Sequence, residues 1–158
     1  MENKIYYQDY ICGLAIENGD GIIVEGDLII KNEDLTDGLI PFDMKKIHKV
    51  TGDFVARNCS DLIELEISFD VVGSVIIASC YSLSELCLKG HIGGVLDLRG
   101  CSNLQTFEAK KLEPGNTVCC EEWKNSSDPV PDELQRICVV DKCDTETKRV
   151  INDIWGII

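Results

Sequence analysis

A chain of 158 residues with 44% apolar and 27% charged residues has the size and composition of one globular domain. Its 28 acidic against 15 basic residues leave a formal charge of −13. That balance disfavours nucleic acid and anionic membrane, both of which are bound through Lys and Arg, and it favours a basic protein as partner. No apolar run approaches the roughly 18 residues needed to span a bilayer. The start MENKIYYQDYICG lacks the basic and apolar pattern of a signal peptide, so a cytoplasmic location is expected, in the producing cell or in a host that receives the protein.

In chain order, residues 1–25 read as a β-hairpin cap. Two apolar segments flank Asn18-Gly19-Asp20-Gly21, which supplies the positive-φ positions of a tight turn. Gly26 opens a degenerate repeat, GDLIIKNEDL, in which Leu28 and Ile30 match Phe54 and Ala56 of the next copy. Extra residues are assigned to a loop over 36–51, and bulging loops of a repeat array often form its binding face.

From Gly52 to Ala109 the chain repeats every 21 residues without a gap. Gly52, Gly73 and Gly94 are in phase, as are Cys59, Cys80 and Cys101, and Leu62, Leu83 and Leu104. Within each copy two short segments alternate with period 2, the signature of strands. The first strands turn inward Phe54 and Ala56, Val75 and Ile77, Leu96 and Leu98. The second turn inward Leu65 and Ile67, Leu86 and Leu88, Phe107 and Ala109. Stacked coils then give two parallel sheets, with the Gly column at a turn that needs positive φ or close approach. The solenoid is expected over 26–123 as four to five coils. A C-terminal helical cap is expected over 124–158, where Val150, Ile151, Ile154 and Trp155 share a helical face. The fold class is mainly β.

The pattern G-x-φ-x-φ-x-x-C-x-x-L-x-x-φ-x-φ, with φ apolar, resembles a leucine-rich repeat. The nearest variety is the BspA-like (treponemal) bacterial type, on the strength of Val72-Gly73, Ile76-Ile77 and Cys80-x-x-Leu83-x-x-Leu86-x-Leu88. The segment LDLRGCSNLQTF also resembles the Cys-containing repeats of plant resistance proteins. The resemblance implies protein recognition without chemistry, through outward strand residues.

Those residues, in the second strand set, are Glu64 and Glu66, Glu85 and Cys87, and Thr106 and Glu108, flanked by Lys89 and Lys110. Stacked carboxylates repel one another and are compensated by a cationic partner surface. A face charged for solubility is the plainer alternative. Outward positions of the first set, Val55, Ile76 and Val95 with Arg57, Asp97 and Arg99, are more apolar and expected to be covered. Nine cysteines, three of them in a repeat column, read as reduced, buried thiols.

With His48 and His91 far apart in sequence and no phosphate-loop pattern, no catalytic constellation is readable and no cofactor is expected. Cys119, Cys120, Cys138 and Cys143 lack the spacing of a zinc site, though a zinc protein or enzyme built on them is the competing class. The expectation is a non-enzymatic, acidic binder or inhibitor. A toxin-neutralising immunity protein is one form of it, and a bacterial effector that binds a host protein is the other.

Overall fold

The computed structural model describes residues 22–40, 44–109 and 111, and the backbone alone of strand residues 4–6, 16–18, 21, 118–119 and 139–140. It is mainly β, a solenoid of about four turns whose strands stack in parallel from coil to coil, in three sheets rather than two, with one antiparallel pair at the N-terminal end. No helix among the described residues is long and apolar enough to cross a membrane.

The first sheet joins seven strands: β1 (Lys4–Tyr6), β4 (Asp27–Ile29), β6 (Phe54–Val55), β9 (Val75–Ile76), β11 (Leu96–Asp97), β13 (Val118–Cys119) and β14 (Val139–Val140). Its inward column runs Leu28, Phe54, Val75, Leu96, as the repeat register requires. The acidic sheet holds β7 (Glu64–Ile67), β10 (Glu85–Leu88) and β12 (Thr106–Ala109), with β10 in the centre. Leu65, Leu86 and Phe107 stack inside it.

The third sheet was not expected. It comprises β2 (Ile16–Asn18), β3 (Gly21–Val24), β5 (Ile47–Val50) and β8 (Asp70–Val71), and a parallel bridge from Val71 to Ile92 extends it by one coil. Its inward column is Val24, Val50, Val71 and Ile92. Val50, Val71 and Ile92 recur every 21 residues, but one apolar position per coil just ahead of the Gly column does not separate strand from turn, so the sequence alone reads this face as turn. Two expectations change with it. The β2–β3 hairpin forms as expected, with Asn18 opposite Gly21. Yet β3 also belongs to the third sheet and β1 to the first, so the N-terminal segment continues the solenoid instead of merely capping it. The loop over 36–51 is likewise shorter, because Ile47–Val50 is strand.

The three inner faces meet in one core in which Phe54, Leu62, Ile77, Leu83 and Leu96 are fully buried. Each such side chain contributes about 1.5–3 kcal/mol. At one corner the Cys column turns inward, and each thiol donates to a carbonyl of the preceding coil: Cys59 to Ile30, and Cys80 to Ala56 and Cys101 to Ile77 at 2.9 Å. The four described cysteines are free. The neighbouring Cys80 thiol and burial push the Cys59 thiol up, and Cys101 together with burial does the same to Cys80. Cys59 and Cys80 are thereby held in the protonated form, which is the poor nucleophile. Just before the Cys column Asn58, Ser79 and Gly100 take φ between 61° and 80°, a left-handed turn shared by the three regular coils.

The Gly column is a site of close approach, not of positive φ. A Cβ on Gly73 would lie 2.8 Å from the Gly52 carbonyl oxygen and 2.2 Å from Asp53 Oδ1. The following residue builds a side-chain ladder. Asp27 Oδ1 accepts the Asp53 N–H at 2.7 Å, Asp53 Oδ1 accepts that of Ser74 at 2.7 Å, and Ser74 Oγ accepts that of Val95 at 2.9 Å.

The outer face of the first sheet is buried, as its composition suggested, but its column differs from the one expected. Ile29, Val55 and Ile76 lie in register with Asp97, while Val95 belongs to the ladder column. Ile29, Val55, Ile76 and Ala78 form a second apolar cluster. Asp97, fully buried in line with them, receives two bonds of 2.9 Å from the Arg99 guanidinium. The expected helix over the C-terminal cap lies outside the described residues. Within that stretch Val139–Val140 is strand.

Candidate functional site

The acidic sheet carries its outward residues in three rows across the coils. Glu64, Glu85 and Thr106 form the first row, and Glu66, Cys87 and Glu108 the second. Ser68 and Lys89 continue it at the far end of the strands. Parallel pairing at a 21-residue offset dictates this, since strand neighbours lie roughly 4.8 Å apart and alternate residues share a face. The structure thus brings together seven of the eight residues singled out in the sequence. Lys110 lies outside the described residues.

The rows are not a bare charged face. Leu39, Ile40, Met44 and Lys45 rise beside them, and together with the strand residues they line an open groove of about 560 Å³. The segment that supplies this wall is anchored at several points. Asp37 and Gly38 both take positive φ, the requirement of a two-residue turn closed by Thr36 and Leu39. The Ile63 N–H, one residue before β7, donates to the Gly38 carbonyl at 2.8 Å. Asn32 exchanges two bonds of 2.9 Å with Asp61 in the next coil. The wall is therefore held against the sheet, with Leu39 exposed at 44% and Met44 buried.

A second depression, about 480 Å³, adjoins the first and shares Lys45 and Glu66 with it. Its remaining lining is Ile47, His48, Ser68 and Lys89. Lys89 Nζ donates to Glu66 Oε1 at 2.5 Å, and this carboxylate holds the lysine above its ordinary range. Half-buried Cys87 lines the first depression with its thiol 3.6 Å from Glu108 Oε2, and burial followed by that carboxylate pushes it up. A thiol so placed is a poor nucleophile.

Sequence reasoning did not foresee that Leu39, Ile40 and Met44 stand against the acidic rows, nor that Lys45 lines both depressions and His48 the second. The signal was the additional length between Gly26 and Gly52, which said where chain was to spare but not which sheet it would flank. Chemically the groove offers carboxylates in an open, solvated setting beside apolar side chains. Among the described residues no group of three or more His, Cys, Asp or Glu side chains is placed to hold a metal. Cys120, Cys138 and Cys143 lie outside the described residues, and of Cys119 the backbone alone is described. No known family, curated protein or solved structure matches this chain.

Proposed function

We propose that this chain is a non-enzymatic binding module whose groove receives a basic protein surface. The observation that carries the reading is the pairing of carboxylates with an apolar wall in one groove. An acidic face alone serves solubility, whereas apolar side chains beside charges make an interface that excludes water around its ion pairs. The net charge of −13 would speed the encounter with such a partner. The resemblance of the repeats to leucine-rich repeats supports protein recognition in the same sense. An acidic intracellular inhibitor, such as an immunity protein that occupies a basic toxin, is the most concrete form. An effector that binds a host protein uses the same surface.

Affinity capture tests it, with wild type against Glu64→Lys/Glu85→Lys/Glu108→Lys, at low and high salt. The expected result is a basic partner held by wild type, released by salt and lost with the variant. A partner held equally by both proteins would place the interface elsewhere and refute the groove.

A further inference from the structure

The charges along the groove are ordered, and the order constrains what fits. The first row of the acidic sheet is acidic at Glu64 and Glu85, and four residues further along the same strands stand Ser68 and Lys89. His48 flanks that far end, and Lys45 lines both depressions. A strand advances roughly 3.3 Å per residue, so about 13 Å of backbone separates the first row from Ser68 and Lys89, with Glu66 and Glu108 in the row between and Glu66 paired to Lys89. The two depressions adjoin, with Lys45 and Glu66 common to both linings, and the second lies toward the far end of the strands.

We propose that the occupant is an extended peptide segment, laid along the strand direction, with a cationic side chain at one position and an anionic group four residues away. This rests on the basic-partner reading and narrows it. In an extended chain residues i, i+2 and i+4 face the same side, so i reaches Glu64 and Glu85 while i+4 reaches Lys89 and Lys45. Residue i+2 then lies over Cys87 between Glu66 and Glu108, where a small hydrogen-bond donor fits. The apolar wall of Leu39, Ile40 and Met44 meets residues of the opposite parity. The Lys89–Glu66 pair does not block the groove. Both side chains are about 40% exposed, and an ion pair in that setting exchanges partners at little cost. A uniformly basic segment, by contrast, would bring its second cation against Lys89.

The test is titration of the isotope-labelled full chain with three blocked pentapeptides, followed by amide shifts of residues 44–48, 64–68 and 85–89. The first peptide is lysine–valine–threonine–valine–aspartate. The second carries lysine at both ends, and the third holds lysine and aspartate adjacent. The first is expected to bind about three- to five-fold more tightly than either of the others. Lys89→Glu should invert the preference between the first and second peptides, and Lys89→Met should abolish it. Lys89 is exposed, so neither variant threatens the fold. Equal or tighter binding of the two-lysine peptide by wild type would overturn the dipolar pattern and leave the basic-partner reading standing. Equal binding of the adjacent-charge peptide would overturn the four-residue spacing. Shifts in none of the three titrations at low salt would overturn both readings.

Discussion

Asp53→Ala examines how the coils are held at their closest approach. Asp53 Oδ1 accepts the Ser74 N–H at 2.7 Å, and Ser74 is 4% exposed. Alanine removes the acceptor and leaves a buried donor that water hardly reaches, which costs about 1–3 kcal/mol. Asp53→Asn keeps an oxygen in the same place and should cost less than about 1 kcal/mol. Gly73→Ala probes the same contact from the other side. Asp53→Ala removes one obstacle to its Cβ, but the Gly52 carbonyl oxygen at 2.8 Å is backbone and stays, so Gly73→Ala should destabilise by about 1–3 kcal/mol in either background. Urea unfolding followed by far-ultraviolet circular dichroism reads these differences as shifts of roughly 1 M in midpoint at constant slope. Asp53→Ala unfolding at the same midpoint as Asp53→Asn would refute the ladder as a stabilising device. Gly73→Ala at wild-type stability would refute the close approach.

Three further outcomes are expected. Ser79→Gly should raise stability by about 0.5–1 kcal/mol in the same assay, because φ of 62° strains an L-residue by more than glycine loses in unfolded-state entropy. Leu86→Ala, at 1% exposure in the central strand of the acidic sheet, should cost about 2–5 kcal/mol and weaken groove binding with it; unchanged stability would contradict its place in the core. Asp70 accepts the His91 N–H at 2.8 Å, and this bond holds its carboxyl below the ordinary 3.8. A lowered folded value stabilises above pH 3.8 and is lost as pH falls through it, so Asp70→Asn should be less stable than wild type near neutrality and converge with it in acid. With the side chain half exposed the gap should stay under about 1 kcal/mol, and a gap that widens in acid would reverse the sign of this reasoning.

The acidic rows were legible because a repeat leaves little freedom. Once Glu64 and Glu85 stand at the same phase of successive coils, parallel pairing must set them side by side. The positive-φ column was also written in the chain, as Asn58, Ser79 and Gly100, but a serine among its members concealed it. Asp97 belongs to the outward positions of the first strand set, expected to be covered, and it is buried; its pairing with Arg99 is what the sequence does not show. Its partner Arg99 is two positions away, and whether such a pair faces water or the interior depends on what packs over it.

By itself the sequence determined the coil: its 21-residue length, the inward columns Phe54–Val75–Leu96 and Leu65–Leu86–Phe107, the corner thiols, and the carboxylates stacked outside. Identical neighbours impose identical environments, so each column can be read from its own period. Tertiary structure alone decided that Val24, Val50, Val71 and Ile92 line a third sheet, and that Leu39, Ile40 and Met44 fold against the acidic rows. Val50, Val71 and Ile92 do recur every 21 residues, but so thin a column does not distinguish strand from turn; the wall residues occur once and find their place through long-range packing, which leaves no period to read.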